Sequence, residues 1–233
     1  MVALSDLAFA CHVYGGMSDY DSSYIRFMKA TRGAPDLGNA AHREAMLDWL
    51  NKWGCRQFKT EYHDQASSAI LEWSRMYERS LFPRNRELLR LGETELAAVG
   101  LAFESLSKRI ACYKTRKGAT YPVSVGPTGA SKVLFAIRPH ALLPWDGAIR
   151  SNLGYDGSGS SYVAFLGHVR SLLEDVGRLC EREGFELTDL PKKLGRPQST
   201  LPKLVDEYHW VTITSGCKPP HSDTLQRWAD WST

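Results

Sequence analysis

A lysine and an aspartate, Lys132 and Asp146, combine reactive side chains with positions that predict helix starts. Lys132 follows the Gly/Pro-rich stretch VGPTGAS and begins a short apolar run, and Asp146 follows Pro144 and begins the next helix. An amine and a carboxylate placed in this way can meet across a cleft. The pair suits chemistry at a sugar carbon that carries a nitrogen base. The alternative interpretation is a surface lysine and an aspartate that only caps its helix.

The residue types fit the cleavage of an N-glycosidic bond. Positive charge develops on the sugar as this bond breaks, and a fixed carboxylate such as Asp146 stabilises that charge or orients the attacking nucleophile. A lysine amine such as Lys132 can attack the sugar carbon and form a Schiff base if burial or neighbouring cations favour its neutral form. Asp146 and Lys132 are therefore the catalytic candidates.

The turn predicted before Lys132 contains Gly126, Gly129 and Ser131. Such a turn exposes backbone N–H groups at the start of a helix, where they can hold a phosphate. We therefore expect these three residues to contact a nucleic-acid backbone.

A basic stretch lies upstream of this turn and includes Lys114, Arg116 and Lys117, with Tyr113 and Tyr121 interleaved. Cations beside a phosphate-binding turn suit contacts with the DNA backbone. The alternative is a solvated loop with no partner.

Residues 95 to 180 resemble the helix-hairpin-helix DNA glycosylases of the HhH-GPD superfamily, especially the 8-oxoguanine glycosylase-like branch. In that family a Gly-rich hairpin ends in a lysine, which Lys132 matches, and an essential aspartate begins a later helix, which Asp146 matches. The run Asp-Gly-Ala-Ile-Arg from Asp146 to Arg150 also resembles the aspartate segment of the adenine-mismatch glycosylases. The interval of fourteen residues between the lysine and the aspartate is shorter than is usual in the family.

The resemblance implies an all-α, two-lobed fold with a cleft between the lobes. The whole chain, 1–233, would be one glycosylase-like unit, with one lobe made of 1–92 and 185–233 and the other of 93–184. Trp145 and Arg150, which flank the aspartate, become the substrate-binding candidates, with a core position as the alternative for Trp145.

The implied function is excision of a modified base from double-stranded DNA after the nucleotide has flipped out of the stack. The base is either an oxidised purine, as in repair, or a hypermodified phage base such as a glucosylated cytosine, as in antiviral defence. Either water or Lys132 attacks the sugar. Two other classes remain open: a non-catalytic helical DNA-binding module and a helical protein-interaction subunit.

Composition agrees with an ordinary globular protein. The 233 residues carry a net charge of +3, which permits nucleic-acid binding without requiring it. The five cysteines are scattered without a C-x-x-C pair, so neither a zinc site nor the iron–sulfur cluster of some glycosylases is expected. No apolar run is long enough to cross a bilayer. We expect a cytoplasmic monomer with reduced thiols and no cofactor or metal.

Apolar periodicity predicts five longer helices. They cover residues 40–53, 62–79, 94–111 with Thr94 as N-cap, 160–182, and 201–211 with Thr200 as N-cap. The run VTIT at 211–214 gives a weak strand signal, and 185–199 reads as a loop. The C-terminal tail, which contains Trp228 and Trp231, is either a docked helix or a strip that binds a partner.

Overall fold

A computed structural model describes residues 2–17, 20–221 and 223–224; Trp228 and Trp231 lie outside this part. The described part is mostly helical, which confirms the dominant prediction, and it also contains one antiparallel two-stranded sheet. The helices are α1 (Leu4–Met17), α2 (Tyr20–Ala30), α3 (Ala40–Lys52), α4 (His63–Tyr77), α5 (Glu93–Lys108), α6 (Gly126–Ile137), α7 (Gly147–Asn152), α8 (Gly159–Arg182), α9 (Leu190–Lys193) and α10 (Leu201–His209). Within the described residues, no helix is both long and apolar enough to span a bilayer.

The five predicted helices all form, and their ends follow local capping. Asn39 caps α3 by accepting from the backbone N–H of Ala41 at 2.9 Å. Thr200 caps α10 as predicted. The prediction of Thr94 as the cap of α5 is wrong, because the helix already begins at Glu93 with Gly92 as its N-cap. The Gly92 N–H donates to the Glu95 carboxylate at 2.8 Å, which is the return bond of a capping box.

Two strands, β1 (Ile110–Arg116) and β2 (Ala119–Ser124), correct the purely α-helical prediction and shorten the predicted 94–111 helix. They pair antiparallel around a two-residue turn, Lys117-Gly118, whose φ angles are +52° and +79°. Positive φ at both turn positions is the geometry that matches the twist of a tight hairpin, and glycine adopts it without strain. The basic segment is therefore an ordered hairpin and not an irregular loop.

The weak strand predicted at 211–214 is wrong. Residues Trp210–Thr214 form a π-helical turn that continues directly from α10. Val211 of this turn is buried in a small cluster with Ala10 and Tyr14 of α1. A short apolar run has no periodicity that separates strand from buried helix, and packing against α1 decides the outcome here.

The β1–β2 hairpin lies between two helices that pack together, α5 and α6. At its base the backbone N–H of Val125 donates to the carbonyl of Arg109 at 2.8 Å, which closes the hairpin where the two helices meet. Helix α5 also packs along α8, and Phe103 of α5 stacks on Tyr162 of α8 with ring centroids 4.4 Å apart. The β-hairpin therefore separates α5 from α6. It is not the Gly-rich hairpin expected from the resemblance, because the residues from Gly126 to Lys132 lie inside α6.

Candidate active site

Lys132 and Asp146 line the same pocket, which has a volume of about 250 Å³. Four of the ten other lining residues are aromatic, and these four come from parts of the chain that are distant in sequence from Lys132 and Asp146. The other lining residues are Tyr14, Tyr20, Trp53, Gly54, Thr128, Pro144, Gly147, Asp206, Trp210 and Thr214. The structure therefore brings the two candidate catalytic groups into one pocket.

Asp146 is the N-cap of α7, and both of its carboxylate oxygens accept hydrogen bonds. Oδ1 accepts from the backbone N–H of Ile149 at 2.8 Å, the usual capping bond. Oδ2 accepts from the Thr214 hydroxyl, also at 2.8 Å, across a separation of 68 residues. Asp146 is half-buried, so it is an N-cap and a pocket residue at once.

The prediction that Lys132 begins a helix is wrong, because α6 already begins at Gly126 and Lys132 lies within it. The alternative of a surface lysine is also wrong, because Lys132 is only 7 % exposed. Its Nζ donates to the carbonyl oxygen of Trp53 at 2.6 Å and lies 5.5 Å from the centroid of the same indole ring. A carbonyl dipole and a ring face both attract an ammonium group, so the side chain is held in one place at the pocket wall.

The predicted phosphate-binding turn is wrong for Gly129 and Ser131, because α6 already begins at Gly126. Pro127 is well tolerated in the first helical turn, and the run that follows it is apolar enough to bury. Ser131 is fully buried, and its Oγ donates to the Thr128 carbonyl and accepts from the Trp145 N–H at 2.9 Å. This last bond ties α6 to the segment that leads into Asp146.

Gly129 is packed so closely that a Cβ atom would lie 3.0 Å from Val125 and 3.1 Å from Gln57. It is buried and cannot reach a phosphate. Gly126 is half-buried at the start of α6 with φ of +70°, and it is the one member of the predicted turn that remains near the surface.

The two predicted substrate contacts have internal roles. Trp145 is fully buried and stacks on Phe165 with centroids 5.4 Å apart, so the core interpretation of this residue is the correct one. Arg150 donates to the Thr128 hydroxyl at 3.1 Å and to the Trp145 carbonyl at 2.9 Å. Arg150 therefore joins α7 to α6. Burial lowers the pKa of Arg150 by more than the Asp146 charge raises it.

A buried ion pair, Lys203 and Asp206 of α10, lies against the pocket. Lys203 Nζ is 2.8 Å from Asp206 Oδ2, 3.6 Å from Glu207 Oε1 and 4.1 Å from the centroid of the Tyr14 ring. Burial lowers the pKa of Lys203, but the carboxylates and Tyr14 raise it by more. Burial raises the pKa of Asp206 although the Lys203 charge opposes this. Asp206 therefore adds a second carboxylate to the pocket lining.

The aromatic wall escaped the sequence interpretation. Trp210 meets Tyr14 and Tyr20 edge-on, with centroid distances of 5.4 and 5.6 Å, and Tyr20 lies 6.1 Å from Trp53. The periodicity that marks Trp53 as an inward position cannot tell a pocket wall from a core contact. Only the packing of α1, α2, the C-terminal end of α3 and the π-helical turn after α10 brings these four rings together.

The three basic candidates lie on the hairpin, and 110–124 contains no acidic residue. Arg116 and Lys117 are exposed at its tip. Lys114 is half-buried, with Nζ 3.4 Å from the Arg56 carbonyl oxygen and 5.9 Å from the Tyr62 ring centroid. Tyr113 and Tyr121 are 52 % and 41 % exposed. The hairpin therefore presents a cationic and aromatic surface.

One short segment, residues 53–57, connects this hairpin to the pocket. The Trp53 carbonyl accepts from Lys132, and Gly54 lines the pocket. Two residues further on, the Arg56 carbonyl accepts from Lys114, and Gln57 Nε2 donates to the Val125 carbonyl at 2.6 Å. The base of the hairpin is thus anchored beside the pocket that holds Lys132.

Comparison with known proteins found no matching family model, curated protein or solved structure.

Proposed function

We propose that this protein is a DNA glycosylase that flips a modified base out of duplex DNA and cleaves its N-glycosidic bond. The observation that carries the proposal is that Lys132 and Asp146 line one aromatic-walled pocket. A carboxylate for a developing sugar cation, an amine and ring faces for a base are the groups that this reaction uses.

The size and lining of the pocket support a flipped base as its occupant. Its volume of about 250 Å³ lies below the ~300–1,000 Å³ of sites for drug-sized ligands and suits one ring system. Tyr14, Tyr20, Trp53 and Trp210 offer flat or edge contacts, and stacking on aromatic side chains stabilises bases that have left the helix. The Asp206 carboxylate can accept hydrogen bonds from N–H groups on the edge of a base.

In the proposed reaction Asp146 stabilises the positive charge on the sugar as the base leaves. Its two hydrogen bonds fix the direction of the carboxylate before the substrate arrives. A charge that is already oriented needs little reorganisation in the transition state, which makes it effective there. Asp146 also orients the water that attacks the sugar carbon.

Lys132 contributes a fixed positive charge at the pocket wall. Its bond to the Trp53 carbonyl suits an ammonium that contacts a phosphate or the base. Attack by the amine would first require that the nitrogen lose its proton. We therefore favour water as the nucleophile, with an intact abasic site as the product.

The same pocket supports a cleft between two lobes. Thr128, Lys132 and Asp146 come from the proposed lobe 93–184, whereas Trp53 and Trp210 come from the other lobe. The cationic β1–β2 hairpin is anchored next to this cleft and would contact the DNA backbone. The protein would act as a cytoplasmic monomer.

The decisive test is incubation of the purified protein with three duplexes that contain an unmodified base, an oxidised purine or a glucosylated cytosine, followed by alkali. Strand breaks at the modified position, absent from the unmodified duplex, are the expected result and identify the base. Intact strands in all three reactions would reject the proposal for these substrates.

A non-catalytic DNA-binding module is the second candidate, and one observation favours it. Asp146 caps a helix and Lys132 binds a carbonyl, so each side chain has a structural partner without any chemistry. Such a module would bind duplex DNA through the hairpin and release no base. Binding without strand breaks in the assay above is the result that selects it.

A further inference from the structure

The π-helical turn Trp210–Thr214 contributes two different parts of the candidate site. Trp210, its first residue, forms part of the aromatic wall, and Thr214, its last, donates its hydroxyl to Asp146. Turns of this kind are rare and often occur at functional sites, because the widened turn places side chains where an α-helix cannot.

The contact restricts rotation of the Asp146 carboxylate about its Cβ–Cγ bond, which moves both oxygens together. A single hydrogen bond to Oδ1, from the Ile149 N–H, leaves part of this rotation free. The Thr214 hydroxyl holds Oδ2 at 2.8 Å and so restricts the rotation further. Two donors from two separate elements therefore define the plane of the carboxylate.

We infer that Thr214 is a positioning residue for Asp146 and acts through its hydroxyl group. This inference rests on the proposed base excision. If Thr214 loses its hydroxyl, the carboxylate keeps its charge and its cap but loses its fixed plane. The chemical step should then slow on the order of 10-fold or more, since small misplacements of a reacting group are costly. Binding should change little, because Trp210 and the hairpin are untouched.

The experiment compares three variants on the modified duplex that the wild type cleaves. Thr214→Val removes the hydroxyl at nearly constant shape, and Thr214→Ser keeps it. Thr212→Val is the matched control, because the Thr212 hydroxyl lies in the same turn but donates to the Tyr208 carbonyl at 2.7 Å. Thr214 is exposed, so valine there leaves no buried polar group unpaired and the fold should persist.

The expected result is a fall in kcat with little change in KM for Thr214→Val, recovery in Thr214→Ser, and nearly wild-type kcat for Thr212→Val. In an Asp146→Asn background, Thr214→Val should have no further effect, because the two residues act as one unit. A wild-type kcat in Thr214→Val, or an equal loss in Thr212→Val, would overturn the inference and leave base excision standing.

A measurement without turnover separates this inference from the proposed function. The ¹³Cγ resonance of Asp146, assigned by its loss in Asp146→Asn, should shift in Thr214→Val, return in Thr214→Ser and stay in place in Thr212→Val. An unmoved resonance in Thr214→Val would overturn the contact itself. A wild type that cleaves no duplex would overturn the proposed function and the positioning role together, whatever the resonance does.

Discussion

Lys132 Nζ donates a 2.6 Å hydrogen bond to the backbone carbonyl of Trp53, 79 residues earlier in the chain. The same ammonium lies 5.5 Å from the centroid of the Trp53 ring. A backbone carbonyl has a fixed position, so the amine can move away from it only if the pocket supplies another partner. This relationship makes Lys132 a fixed cation at the pocket wall and bears directly on the choice between two mechanisms.

The first prediction concerns covalent chemistry. Because the Trp53 carbonyl already binds the Lys132 nitrogen, we expect water to attack the sugar and no imine to form. Borohydride added during turnover should trap no protein–DNA adduct, and Lys132→Gln should lower excision moderately because the charge is removed. A trapped adduct in the wild type that disappears in Lys132→Gln would make this lysine the nucleophile.

The second prediction concerns the carboxylate. Asp146→Asn should lower base excision on the order of 10²-fold or more, since it removes one fixed negative charge at a developing cation. Asparagine is an equally good N-cap, so α7, the melting temperature and DNA affinity should be nearly unchanged. Single-turnover kinetics, thermal melting and a binding titration on the same preparation check all three. Turnover close to wild type would remove Asp146 from the mechanism.

The third prediction concerns the hairpin. Changing Lys114, Arg116 and Lys117 together to alanine should weaken binding to all duplex sequences alike and leave base preference intact. The slope of log K against log[salt] should flatten by about 0.9 for each DNA phosphate that the variant no longer neutralises. Arg116 and Lys117 should account for most of the change, because Lys114 is half-buried against Tyr62.

The matched control removes three exposed cations elsewhere, Arg178, Arg182 and Lys192 of α8 and α9. Both triple variants lose the same formal charge, so a nonspecific charge effect would flatten the two slopes equally. A flatter slope in the hairpin variant alone identifies the hairpin as the surface that binds DNA. Equal slopes in the two triple variants would mean that the hairpin is not a specific DNA-binding surface.

The fourth prediction concerns stability in acid. Burial, with a smaller contribution from His168, lowers the pKa of His209 from an ordinary value of 6.5 to about 4, and Asp146 opposes this change. His209 is therefore protonated below about pH 6.5 in the unfolded chain but only below about pH 4 in the folded protein. His209 should contribute a loss of about 2 kcal/mol in the free energy of unfolding between pH 7.5 and pH 5.

Urea unfolding at the two pH values measures this loss. His209→Gln should show a smaller difference between them than the wild type by about the same amount. His12→Gln is the control, because His12 is exposed. A pH dependence that is identical in wild type and His209→Gln would mean that other groups set the acid limit.

The presence of Lys132 and Asp146 in one pocket was predictable from sequence because its signals are local. Asp146 begins a helix after a proline, and a lysine fourteen residues earlier ends up in the same pocket. The neighbours of the pair were not accessible in this way. Trp145 is adjacent to Asp146 in sequence yet faces the core, whereas Tyr14 and Trp210 are distant in sequence and face the pocket.

Local chemistry also explains the errors in the fold. The glycines in VGPTGAS suggested a turn. Gly129 instead lies inside a helix, where Phe58 and Gln57 pack so closely that a side chain would not fit. Strand β1 shows no alternation of apolar and polar residues near the hairpin tip. One face of the strand carries Lys114 and Arg116, and the other carries Tyr113 and Thr115. Cross-strand pairing and packing against α4 decide that structure, and neither is visible in a single segment.

The segment 53–57 has a consequence for protein engineering. Because its carbonyls hold both Lys132 and Lys114, and Gln57 holds the start of α6, the hairpin is not a detachable module. Deleting it, or replacing it with a loop from another protein, would release the anchors of the pocket as well. Side chains at the exposed hairpin tip can therefore be exchanged without disturbing the pocket, whereas the hairpin as a whole cannot.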